Sequence, residues 1–110
     1  MTLDDLIAYG ANVNEGMTRC MNNEEFYLRL VGSVKNEKGF DALAQAIGEG
    51  DLHAAFEAAH GLKGVLGNLS ITPLYEPVSE ITELLRVETP MDYTELLDKI
   101  MAEKDRFCAL

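Results

Sequence analysis

Residues 51–69, DLHAAFEAAHGLKGVLGNL, decide the fold class. Leu52, Ala55, Phe56, Ala59, Leu62 and Leu66 recur at steps of three and four, a spacing that keeps them on one side of an α-helix. Asp51 stands where a helix cap belongs, its carboxylate able to accept the unpaired N–H groups of the first turn. Just before it, Gly48 and Gly50 offer the left-handed backbone that closes a preceding helix. A connection this short forces two antiparallel neighbours.

Working upstream, Phe40, Leu43, Ala44 and Ile47 form the stripe of that preceding helix, after a break at residues 36–39. Phe26, Leu30, Val31 and Val34 form an earlier one, for which Asn22 with Glu25 three residues on predicts the start. Residues 11–21, with Asn12, Asn14 and Gly16, read as a loop or broken helix. Leu3, Leu6 and Ile7 read as a short helix stopping near Gly10. Downstream, Thr72-Pro73 starts a helix whose inner face is Leu74, Val78, Ile81 and Leu85. Pro77 inside it predicts a late start or a kink. Thr89-Pro90 repeats the start signal, and Tyr93, Leu96, Leu97, Ile100, Met101 and Phe107 supply the last stripe. No stretch alternates as a strand would. The expectation is an all-α single domain over residues 1–110: an antiparallel four-helix bundle across 22–108, capped by an N-terminal helix or helices within 1–21.

The 110 residues suffice for one domain with a workable core, and 47 % apolar with 25 % charged residues is ordinary for a soluble protein. A formal charge of −10 repels nucleic-acid and anionic lipid phosphates, so neither is an expected partner. No run approaches the ~20 apolar residues of a membrane span, and the start, Met1-Thr2-Leu3-Asp4-Asp5, has no signal-peptide pattern; a cytoplasmic location is expected. Cys20 and Cys108 lack ligand or CxxC spacing and read as free thiols, Cys20 near a helix start and Cys108 near a helix end.

Off the core face of residues 52–69 lies a second stripe: His53, Glu57, His60, Gly64 and Gly67. Gly61, Gly64 and Gly67 fall within seven residues, and each costs a helix roughly 0.5–1 kcal/mol against alanine. Such a concession beside His60 suggests that another macromolecule approaches the backbone there. The competing explanation is that the glycines serve close helix packing, or that the helix frays. Lys63, three residues after His60, lies on the adjacent surface, where its ammonium can meet an anion held by the imidazole. A free imidazole titrates near pH ~6.5, so a neutral ring offers its lone pair to phosphorus without a general base.

His53, Glu57 and His60 could in principle face one metal ion, but such sites in helical bundles need carboxylates from other helices, and the inward stripes here are apolar; no metal is predicted. No glycine-rich loop follows a strand, so nucleotide binding is not predicted and any phosphoryl group must come from another protein.

Residues 60–69, HGLKGVLGNL, resemble the signature helix of histidine-containing phosphotransfer (HPt) domains, H-x-L-K-G followed by small residues. Gly50-Asp51, Ala58-Ala59 and Leu74 fit the same pattern, which spans most of residues 20–88. The resemblance implies that His60 is the phosphoryl acceptor, that Lys63 stabilises the phosphoryl group, and that Gly64 leaves room for the aspartate of a receiver domain. It implies a phosphorelay intermediate of two-component signal transduction, without a kinase domain of its own. The implied partners are a response-regulator receiver domain, a hybrid histidine kinase, or both, with the chain a monomer, without a cofactor, and any Mg2+ on the receiver. Two positions depart from the family: Ser70 stands where glycine is usual, and Gly61 where serine or threonine is frequent. A polar residue on the following helix often supports the imidazole, and Ser79, Thr82 and Glu83 all qualify. The alternative reading is a helical bundle that binds signalling partners without being phosphorylated.

Overall fold

Each apolar stripe lies on a helix and contributes residues to the core, although Ile7 of the first stripe is exposed. In the computed structural model, which describes residues 1–110, the order is α1 (Leu3–Tyr9), α2 (Val13–Arg19), α3 (Glu24–Ser33), a 3-10 turn at Val34–Asn36, α4 (Gly39–Gly48), α5 (Leu52–Asn68), α6 (Thr72–Arg86) and α7 (Thr94–Cys108), with no strand. The chain is all-α, as expected. α4 packs on α5, α5 on α6, α6 on α7, and α7 returns to α4 and to the 3-10 turn. Ala55, Ala59, Leu62 and Leu66 form the buried side of α5, against Phe40 and Leu43 of α4 and Leu74, Val78, Ile81 and Leu85 of α6 in one continuous core. Small alanines on α5 let its neighbours approach closely. Leu6, Val13, Tyr27 and Val31 belong to that same core, as do Ile100 and Phe107. Tyr9 fastens α1 to α7: its hydroxyl donates to Glu103 Oε2 at 2.7 Å, and burial pushes the phenol's pKa upward, with the Glu103 carboxylate adding to the shift. No helix is long and apolar enough to cross a membrane.

Several element boundaries differ from expectation. Residues 11–21 contain α2, capped by Asn12, whose Oδ1 accepts the Glu15 N–H at 3.2 Å. The start of α3 is Asn23, whose Oδ1 accepts the Phe26 N–H at 3.0 Å; Asn22, with φ 57°, makes the left-handed turn before it. Tyr27 rather than Phe26 leads the buried face of α3, because its hydroxyl reaches across to donate to the Leu69 carbonyl at 2.9 Å. Cys20 closes α2 rather than opening a helix, and Cys108 ends α7; both are free thiols. Pro77 does not delay α6, which begins at Thr72; the proline is buried within the helix, where its missing N–H forgoes one backbone bond. Thr89-Pro90 does not start a helix. The Tyr93 hydroxyl donates to the Thr89 carbonyl at 2.6 Å and holds residues 87–93 as a loop, and α7 begins at Thr94, whose N–H is taken by Asp92 Oδ1 at 2.9 Å.

Candidate functional site

Asp51 Oδ1 accepts the Ala54 N–H at 3.0 Å and sets the start of α5, which places His60 in the middle of the helix on its exposed side. The imidazole is stacked on the Phe56 ring one turn earlier, centroids 5.3 Å apart and planes 18° from parallel. A Cβ added at Gly61 or at Gly64 would meet nothing within 4 Å, so the backbone beside the imidazole is bare. Gly67 is different. A Cβ there would lie 3.1 Å from Cε2 of Tyr75, so this glycine serves helix packing, and the competing explanation holds at that one position.

Lys63 leans toward α6, where its Nζ lies 2.8 Å from Glu83 Oε1. Glu83 also accepts from Arg86 Nε at 2.9 Å, and the Arg86 guanidinium in turn lies over the Phe56 ring, 4.9 Å from its centroid. His60, Phe56, Arg86, Glu83 and Lys63 thus form a continuous chain of contacts across α5 and α6. Hydrogen bonds from Arg86 and then Lys63 hold the Glu83 carboxyl at a pKa of about 2, so it is ionised at any neutral pH.

Of the three polar candidates on α6, Thr82 is buried and donates to the Val78 carbonyl at 2.6 Å. Glu83 engages the lysine instead of the imidazole, and Ser79 is half-buried. The ring is supported by Phe56, which the apolar periodicity had assigned to the core stripe. Its spacing of four from His60 is the signal that carried the contact. Arg86 was not singled out by sequence reasoning; its spacing of three from Glu83 is its signal.

On the other flank of His60 a groove of about 610 Å3 runs past Lys63 and Gly64 to Tyr75 and Arg19. Arg19 donates to the Gly67 carbonyl at 2.7 Å and to Ser70 Oγ at 2.8 Å, satisfying the end of α5. Ser70 has φ 55°, the left-handed conformation that favours glycine, which accounts for the residue usual at this position in the resembling family. His53 Nε2 lies 3.9 Å from Glu57 Oε1 on the open surface, and no three His, Cys, Asp or Glu side chains gather closely enough to hold a metal ion.

The molecule is therefore a small all-helical module that displays a histidine beside bare backbone and a lysine. A family model described as the Hpt domain matches residues 35–109, so the chain belongs to the Hpt domain family, the phosphotransfer modules of phosphorelays. The match begins just before α4 and runs to the end of α7, leaving α1, α2 and α3 outside it. No curated protein and no solved structure matches the chain.

Proposed function

We propose that this chain is a phosphorelay intermediate in which His60 accepts a phosphoryl group from the aspartate of a receiver domain and passes it on. The exposure of the imidazole in mid-helix, over backbone left open at Gly61 and Gly64, carries the reading. An imidazole nitrogen lone pair attacks the phosphorus of an aspartyl phosphate; the N–P bond forms as the O–P bond breaks, and the aspartate leaves as a carboxylate. The reverse step delivers the group onward. Gly64 leaves space for the receiver's aspartate, and Lys63 offsets part of the roughly −1.5 to −2 charge that arrives. Partial stabilisation suits a group that must leave again.

The cyclic packing of α4 to α7 supports an antiparallel four-helix bundle as the frame of this site. A receiver domain or hybrid histidine kinase supplies the phosphoryl group, with any Mg2+ in the receiver's pocket. The chain acts as a cytoplasmic monomer without a cofactor of its own.

Incubation with a phosphorylated receiver domain, followed by a search for acid-labile, base-stable phosphate, tests this. Label on His60 that is absent from a His60→Gln variant is the expected result. Stoichiometric binding of the receiver with no label above that variant would establish the bundle as an interaction module that is not phosphorylated.

A further inference from the structure

Lys63 is the cation nearest in sequence to His60 on its face, yet its ammonium is already taken: Glu83 Oε1 sits 2.8 Å away. Glu83 is exposed, and Arg86 Nε donates to its other oxygen at 2.9 Å, so a second cation besides the lysine holds the carboxylate in place. Arg86 is itself pinned over the Phe56 ring that stacks on the imidazole. Lys63, Arg86 and Glu83 together bring one net positive charge, too little to neutralise a phosphoryl dianion. When such a group arrives on His60, Glu83 both holds the cation that would stabilise it and repels it as a like charge.

We infer that Glu83 is a positioning residue that competes with the phosphoryl group on His60 for the Lys63 ammonium, and thereby limits the lifetime of the phosphorylated state. The inference rests on His60 being the phosphoryl carrier. A phosphoimidazole loses its group through a loose transition state in which the bond to nitrogen is largely broken. A cation on the phosphoryl oxygens stabilises the starting dianion more than that transition state, so releasing Lys63 from Glu83 lengthens the lifetime.

The test needs no partner. The full chain carrying His53→Gln, which leaves His60 as its sole histidine, is phosphorylated with potassium phosphoramidate: the imidazole nitrogen displaces ammonia from phosphorus. Decay of the phosphohistidine is then followed by phosphorus NMR. Glu83→Gln is expected to slow the decay about two- to fivefold, the range that an exposed ion pair supports. Glu83→Asp, which keeps the charge, is expected to stay near the parent rate. The Glu83→Gln effect should shrink at 1 M salt, where the screening length falls to about 3 Å. It should shrink again when Lys63→Met is added. A decay rate unchanged by Glu83→Gln overturns the inference while leaving His60 as a carrier, and so does an effect of equal size in the Lys63→Met background. Failure of a receiver domain to label His60 would instead remove the reading on which the inference rests.

Discussion

The Phe56 ring and the His60 imidazole lie one helical turn apart on α5 with their planes only 18° from parallel. An aromatic face against one side of the imidazole restricts rotation about the histidine χ2, while the residue as a whole stays exposed. Phe56→Leu keeps apolar bulk and removes the stack, which is worth about 0.5–1.5 kcal/mol in comparable aromatic pairs. The expected outcome is a fall in the rate of phosphotransfer from a receiver domain of about two- to thirteenfold, the kinetic equivalent of that energy, with thermal unfolding still cooperative. Stopped-flow or quenched transfer assays check it, and an unaltered transfer rate would assign Phe56 to packing alone.

Gly64 and Gly67 of α5 should separate on substitution. Gly64→Ala fills open space and removes a flexible residue from a helix, so it should raise stability by about 0.5–1 kcal/mol. Gly67→Ala must displace the Tyr75 ring 3.1 Å away, so that gain should vanish or reverse. Gly64→Leu should fold normally yet lose about tenfold or more in transfer from a receiver, because a displacement of only ~1 Å at a reacting centre can cost as much as a hundredfold. Urea unfolding and transfer assays on the same three proteins separate access from packing.

Ser70 occupies a left-handed conformation that costs a residue with a Cβ roughly 1–2 kcal/mol, and its hydroxyl accepts from Arg19 at 2.8 Å. Ser70→Ala keeps the strain and loses the hydrogen bond; Ser70→Gly loses the bond and relieves the strain. Ser70→Gly should therefore exceed Ser70→Ala in stability by about 1 kcal/mol. Equal unfolding midpoints for the two variants would show that the backbone strain is relaxed elsewhere.

Glu83 gives a pH prediction with a definite sign. Its pKa is depressed to about 2 in the folded chain, chiefly by the hydrogen bond from Arg86 and next by that from Lys63. A depressed carboxyl contributes stability that is present above the ordinary value near 4.5 and is lost as pH falls from there toward 2. Carbon-detected NMR of the Glu83 carboxyl should titrate near pH 2. Arg86→Ala should move that midpoint upward more than Lys63→Ala does; the reverse order would show that the lysine is the stronger partner.

Much of the fold was legible because burial and periodicity agree. The inner face of α6 stands as read, with Leu74, Val78, Ile81 and Leu85 buried; on α5, Ala55, Ala59, Leu62 and Leu66 are buried while Leu52 and Phe56 are only partly so, and Asp51 caps the helix. What was not legible depended on contacts between residues distant in sequence. α2 carries only seven residues, and its glycine looked like a breaker; it is glycine because a Cβ at position 16 would lie 2.5 Å from Cε1 of Tyr27. Thr89-Pro90 carries a local start signal, but the hydroxyl of Tyr93 uses the Thr89 carbonyl to close a loop. At the site, His60, Lys63 and Gly64 stood out through their own chemistry and spacing. Phe56 was hidden among apolar neighbours, while Glu83 was one of three equivalent polar choices until the fold brought Lys63 against it.

The last turn of α5 is held from outside the family match: Arg19 takes the carbonyl of Gly67, and Tyr27 takes that of Leu69. Gly16 lets α2 come close enough for this, since any side chain there would strike both the tyrosine ring and the Leu69 oxygen. The glycine-softened half of the histidine-bearing helix is thus clamped by the first third of the chain, and a visiting protein meets a platform already in shape, with little ordering cost left to the encounter. The clamp also makes the two regions mechanically interdependent: a bundle joined to this N-terminal segment has to present a matching loop after the helix for Arg19 and Tyr27 to grip.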